Sequence, residues 1–90
     1  MIARCTIPPD VACANVEDGA VILHMGTKRY FSLNETGAEI WRLLEEDVPL
    51  AEIPTRLVAA FDVSVDEART ALSALIEALA EKDLIAVEAE

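Results

Sequence analysis

The first third of the chain alternates short apolar runs with turn residues, which is the pattern of β-strands. Residues 11–16 form a weaker strand candidate, and residues 20–25 form a stronger one because that run is apolar and rich in β-branched side chains. A third candidate covers residues 28–33. Because the intervals between these runs are short and contain turn residues, they predict a three-stranded antiparallel meander.

After residue 33 the apolar residues recur every three or four positions, which predicts helices. Asn34 suits the N-cap of the first helix, in which Ile40, Trp41 and Leu44 share one face. The second helix contains Pro54. Either its regular part begins near that proline, or the preceding residues form a separate tight turn.

The third helix has the clearest start signal in the chain. Ser64 and Glu67 have the spacing of a capping box, and the helix is expected to run to about Lys82. Its apolar arc is broader than a surface helix needs. Either the rest of the domain covers this arc, or a partner covers one edge of it.

These elements predict one α+β domain, winged helix-turn-helix-like, with a three-stranded antiparallel sheet followed by three helices. Two consecutive prolines indicate an irregular arm over residues 1–9. The sheet is expected over residues 10–33 and the helices over residues 34–83. Residues 84–90 are expected to pack as a C-terminal tail or to add a short final strand.

The net charge of −10 is concentrated in the later part of the chain. Residues 1–33 contain three basic and three acidic residues, whereas residues 34–90 contain four basic and fourteen acidic ones. This charge repels nucleic-acid phosphate and attracts basic peptides, although it also serves solubility alone. A winged-helix DNA-binding regulator is the rival hypothesis, but its recognition helix would be acidic, so no nucleic acid is expected as a partner.

The sequence contains no grouping of residues typical of catalysis. His24 is the single histidine, and Cys5 and Cys13 match no zinc motif and no activated-thiol pattern. We therefore predict no catalytic residue, no metal, no cofactor and no enzyme activity. No apolar run could span a membrane and no signal-peptide core is present, so a cytoplasmic location without a membrane partner is expected.

The third candidate strand is the segment best suited to bind a partner. If it lies at the sheet edge, an extended peptide can add a further strand to it, and the third helix would form the other wall of the groove. Alternation places Arg29, Phe31 and Leu33 on one face, and Tyr30 and Ser32 on the other. Leu33 favours the first set for the core face, but the sequence alone leaves both assignments open.

Residues 20–41, with Tyr30-Phe31-Ser32-Leu33-Asn34-Glu35-Thr36-Gly37-Ala38 at their centre, resemble the PqqD-like family of precursor-peptide recognition elements. The resemblance extends over residues 18–87. It implies a three-stranded sheet, three helices, and binding of a precursor's leader peptide as an added strand. A chain of this length is most similar to the stand-alone leader-binding proteins of lasso peptide biosynthesis.

The resemblance also implies partners. It suggests that the domain presents the leader region to a transglutaminase-like cysteine protease and to an asparagine-synthetase-like, amide-forming cyclase. The alternatives are an accessory peptide chaperone for a radical-enzyme pathway, such as quinone cofactor biosynthesis, and a structural subunit of a larger enzyme.

The resemblance implies a peptide-binding site made of one strand and one helix. The expected site residues are Lys28, Arg29, Tyr30, Phe31, Ser32, Leu33, Ala68, Ala71, Leu72 and Leu75. The chain departs from the family pattern in three places. Ala71 stands where an acidic residue is frequent, and Lys28 and Asp83 stand where glycine is common.

Overall fold

The computed structural model describes residues 2–89 as five strands, three helices and one 3₁₀ turn. The strands are Ile2–Thr6 (β1), Val11–Val16 (β2), Gly19–His24 (β3), Tyr30–Leu33 (β4) and Ala86–Ala89 (β5). The helices are Glu35–Glu45 (α1), Ile53–Ala60 (α2) and Val65–Glu81 (α3), and the 3₁₀ turn is Leu50–Glu52.

Strands β2, β3 and β4 form a three-stranded antiparallel sheet in that order, and the three helices follow it in the chain. The predicted α+β class and the predicted meander are therefore confirmed. In the register of the second hairpin Ile22 lies opposite Phe31, and Ala20 lies opposite Leu33. All four of these side chains are buried or half-buried, so this face of the sheet packs on the helices.

The first and last strands make a separate two-stranded antiparallel sheet, in which β1 pairs with β5. The expectation of an irregular arm over residues 1–9 is wrong for the part that forms β1. Pro8 and Pro9 follow that strand, so they shape the connection to β2 and do not interrupt any ladder. Of the two alternatives for the C-terminal segment, the short final strand is correct, since a partner distant in sequence supplies its hydrogen bonds.

Helix α1 begins as its sequence indicates. The side chain of Asn34 accepts a hydrogen bond of 2.8 Å from the Gly37 N–H, which satisfies one of the free donors of the first turn. Gly37 packs closely on the end of β4. A Cβ atom at this position would lie 3.2 Å from Cδ2 and 3.3 Å from Cβ of Leu33, so a glycine allows the helix to leave the sheet at this angle.

The second and third helices also begin at their predicted signals. A 3₁₀ turn precedes α2, and Pro54 lies in the first turn of that helix, where its missing N–H costs no hydrogen bond. The capping box of α3 is complete. Ser64 Oγ accepts from the Glu67 N–H, and Glu67 Oε1 accepts from the Ser64 N–H, each at 3.1 Å.

One hydrophobic core lies between the sheet and the helices. Its largest fully buried side chains are Ile22, Ile40, Trp41, Leu43, Ile53, Leu57, Leu79 and Leu84. Each helix contributes to this core, so the sheet and the helices stabilise one another by burying apolar surface.

Candidate functional site

Strand β4 forms one edge of the three-stranded sheet. It pairs with β3 on one side only, and within residues 2–89 no strand pairs with its other side. The N-terminal and C-terminal strands pair with each other and not with β4. An edge of this kind offers main-chain donors and acceptors to an incoming strand.

The antiparallel register identifies which main-chain groups face outward. The His24 N–H donates to the Arg29 carbonyl at 2.8 Å, so residue 29 directs its polar groups toward β3. These directions alternate along an antiparallel strand. Phe31 and Leu33 therefore also bond to β3, whereas Tyr30 and Ser32 present an N–H and a carbonyl each to the open side.

A groove of about 370 Å³ lies between this edge and helix α3. It is lined by Phe31, Ser32, Leu33, Asn34, Thr36, Gly37, Ile40, Ala71, Ala74, Leu75 and Ala78. Small side chains dominate the helix wall, because three of its four lining residues are alanines. This wall leaves space for the side chains of an occupant lying along β4.

The structure brings together five of the ten predicted site residues. Phe31, Ser32, Leu33, Ala71 and Leu75 line the groove. The structure decides which face of the strand serves the core, because Leu33 is buried and Phe31 half-buried while Tyr30 and Ser32 are exposed. Arg29, which precedes the strand, is exposed as well.

The other five predicted residues lie outside the groove lining. Ala68 and Leu72 are buried in the core, since α3 turns that side of its apolar arc toward the sheet and the other helices. Lys28 and Arg29 precede β4 and are exposed. Tyr30 is 68% exposed, so its side chain is free on the outer face of the sheet.

Sequence reasoning missed six lining residues. Ala74 and Ala78 follow Ala71 by three and seven positions, so the helical spacing of alanines could have identified them. Four further residues come from the start of α1, namely Asn34, Thr36, Gly37 and Ile40. No local signal marks these, because their place depends on how α1 crosses the end of the sheet.

Two of the departures from the family pattern fall at left-handed backbone positions. Lys28 has φ of 64° in the turn before β4, and Asp83 has φ of 58° after α3. Glycine adopts this region without the steric cost that a Cβ atom brings. The glycines that the resemblance implies at these positions would therefore relieve a local backbone strain.

The single histidine forms hydrogen bonds in a turn, and the two cysteines are half-buried. His24 Nδ1 accepts hydrogen bonds of 3.1 Å from the Gly26 and Thr27 N–H groups, so it stabilises the β3–β4 turn. Burial raises the pKa of the Cys5 thiol. Burial and the nearby Glu45 carboxylate raise the pKa of Cys13. Both thiols are therefore less nucleophilic at neutral pH than ordinary cysteines.

Within residues 5–87, whose side chains the structure describes, no three His, Cys, Asp or Glu side chains come together as a metal ion would require. None of the helices in this part of the chain has the length and apolar character to cross a membrane.

Residues 19–85 match the family described as coenzyme PQQ synthesis protein D (PqqD). No curated protein matches the chain. This family match spans the three-stranded sheet, all three helices and both walls of the groove.

Two solved structures share the fold closely. TbiB1, in complex with the TbiA(β) leader peptide, is 34% identical, with a TM-score of 0.84 over 94% of this chain and 99% of its own. A lasso peptide synthetase B1, complexed with its leader peptide, is 25% identical, with a TM-score of 0.82 over 93% of this chain and 99% of its own. Both similar proteins thus hold a leader peptide.

Proposed function

This chain belongs to the PqqD family, and we propose that it is a non-catalytic adaptor that binds the leader segment of a ribosomally made precursor peptide. The leader adds a strand beside β4 and lies in the groove facing α3. The bound precursor is then delivered to processing enzymes, which in a lasso peptide pathway are a leader protease and a cyclase.

The observation that carries this proposal is the open edge of β4 beside an apolar groove. Tyr30 and Ser32 together offer two N–H groups and two carbonyls to an added strand. Each main-chain hydrogen bond contributes about 0.5–1.5 kcal/mol net, which sets the register of the guest but does not give high affinity alone. Apolar side chains of the guest that fill the groove supply the remainder.

The two leader-peptide complexes support the proposal from a separate direction. Both proteins match nearly the whole of this chain, and they match it with the fold that contains the groove. Lys28, Arg29 and Tyr30, which lie outside the groove lining, retain a proposed role at the end of the bound strand. Ala68 and Leu72 support the helix wall from the core side.

The decisive experiment removes one outward N–H from the edge. Fluorescence anisotropy would measure binding of the labelled TbiA(β) leader peptide and of leaders encoded beside this chain's gene. Ser32→Pro removes an outward donor and leaves the β3 ladder intact, because the donors of Phe31 and Leu33 make that ladder. We expect affinity to fall at least tenfold.

Asn15→Pro is the matched control. Asn15 lies on β2, the opposite edge of the same sheet, and the register turns its N–H outward as well. Both variants should retain the circular dichroism of the parent. Binding that survives Ser32→Pro, or that is lost equally with Asn15→Pro, would exclude strand addition at β4.

A further inference from the structure

The groove carries a basic side chain at one end, over an aromatic ring that lines it. Lys82 Nζ lies 6.0 Å from the centroid of the Phe31 ring, at the C-terminal end of α3. This distance is at the outer limit of a cation–π contact. The ammonium group therefore lies near the groove and remains available to a carboxylate of a guest peptide. Half-buried Lys82 therefore marks a cationic end at the start of β4.

Two more cations lie at the same end. Arg29 precedes Phe31 by two residues, about 7 Å along an extended chain, and alternation puts it on the same face. Lys28 is adjacent to it. The ion pairs found between described residues all involve Arg42, with Glu39 and Glu46, so none of the three cations at this end is paired with a carboxylate.

Two acidic residues, Glu67 and Glu35, occupy helix positions next to the opposite end of the groove. Ala71, Leu75, Ala78 and Lys82 follow one another at intervals of four, three and four, which is a single stripe along α3. One step of four back from Ala71 along this stripe is Glu67, in the first turn of the helix.

Glu35 extends the acidic end on the strand side of the groove. It is the first residue of α1 and follows Asn34, a groove-lining residue at the end of β4. Anions also occur near the basic end, where Glu81 and Asp83 flank Lys82. Asp10 also lies beside the β3–β4 turn, with Oδ2 3.9 Å from the place of a Cβ atom on Gly26. The basic end is thus a local cluster of three cations near acidic residues, in a chain whose net charge is −10.

We propose, on the basis of the strand addition described above, that this groove selects a charge-polarised guest peptide. The guest places an acidic side chain beside Lys28, Arg29 and Lys82, and a basic side chain beside Glu35 and Glu67. Antiparallel pairing is the more stable arrangement. The guest then carries its basic residue before the paired segment and its acidic residue after it.

The total charge of the chain and the charged ends of the groove act on a peptide at different distances. The acidic surface of the chain as a whole favours a basic peptide at long range. The ends of the groove act at short range, and they distinguish a peptide with basic and acidic ends in the right order from one of the same composition in the reverse order.

A displayed library of random 16-residue peptides tests the proposal without knowledge of the natural leader. The library is selected in parallel on the parent chain and on the Arg29→Glu/Lys82→Glu variant. Peptides selected on the parent should contain an apolar alternating segment followed by Asp or Glu. The variant should select Lys or Arg at the same place. The matched control, Arg56→Glu/Arg69→Glu, makes the same change of charge away from the groove and should select as the parent does.

One selected peptide is then measured quantitatively by anisotropy. Replacing the acidic residue after its paired segment by the corresponding amide, Asn or Gln, should weaken binding to the parent about three- to fivefold, as for exposed ion pairs. Replacing that residue by Lys should be compensated by Lys82→Glu. The loss should shrink as salt is raised.

Two different failures are distinguishable. Peptides that bind in a Ser32-dependent way but show no acidic preference, or whose charge swap is not compensated, would overturn the polarity and leave strand addition standing. A library that yields no peptide sensitive to Ser32→Pro would overturn the adaptor function and the polarity together.

Discussion

Among the described residues, three acidic or basic ones occupy left-handed backbone positions, and each ends a turn or a helix. Asp83 follows α3 with φ of 58°. The Leu84 N–H donates to the Leu79 carbonyl at 2.9 Å, and the Asp83 N–H donates to the Ala80 carbonyl at 3.1 Å. These two bonds form a Schellman motif, in which glycine is the preferred residue. Asp47 has the same role after α1, with φ of 58°.

Asp83→Gly should therefore stabilise the fold. Removing the Cβ atom relieves about 1–2 kcal/mol of left-handed strain, and the added freedom of the unfolded chain offsets part of that gain. We expect the free energy of unfolding in urea to rise by about 0.5–1 kcal/mol. Asp62→Gly is the control, because Asp62 is not among the described residues with positive φ and should lose stability. A loss with Asp83→Gly would show that the aspartate side chain has a role of its own.

At the scale of elements, capping side chains define where α1 and α3 begin. Asn34 is the single residue between β4 and α1, and its side chain caps that helix. It therefore fixes the α1 residues that line the groove relative to the strand wall. Ser64 caps α3, the helix that forms the other wall of the groove. Loss of a cap should thus affect the groove as well as stability.

Ser64→Ala should lower the free energy of unfolding by about 1 kcal/mol, because it leaves the Glu67 N–H without its partner. The single tryptophan, Trp41, is 2% exposed and its fluorescence reports the transition. Ser73→Ala, at an exposed position inside α3, should be neutral or slightly stabilising. Equal losses from both serines would argue against the capping box as the cause.

At the scale of the molecule, a net charge of −10 is carried by a domain of ninety residues. Repulsion between its carboxylates opposes the compact state. The surface ion pairs of Arg42 compensate little, since its guanidinium is exposed. The molecule therefore gains solubility and long-range attraction for cations at the expense of stability.

Screening this repulsion should stabilise the chain. Raising NaCl from about 0.05 to about 0.5 M shortens the Debye length severalfold, and we expect the free energy of unfolding to rise by about 1 kcal/mol. Glu52→Lys with Glu77→Lys changes the net charge by two units each, from −10 to −6, and should reduce the response. A response as large in this variant would indicate a general salt effect.

Much of the fold was predictable from local chemistry. Turn residues delimit β2, β3 and β4, and the spacing of apolar residues gives the three helices, because these signals depend only on neighbours in the chain. The Asn34 and Ser64 caps were predictable for the same reason. The pairing of β1 with β5 was not predictable, because the two strands are separated by some eighty residues. The sequence of either strand does not specify which distant segment it pairs with.

The candidate site divides in the same way. The residue pattern alone established an amphipathic third strand and a helix with a wide apolar arc, because alternation and helical periodicity are properties of a single segment. The position of that strand at the sheet edge follows only from the order of the strands. Which side of that arc faces the groove depends on how α3 packs. The fold buries Ala68 and Leu72, leaves Ala74 and Ala78 at the open side, and sets Lys82 beside Phe31. These positions are determined by how whole elements pack against one another, and the sequence of a single segment does not specify them.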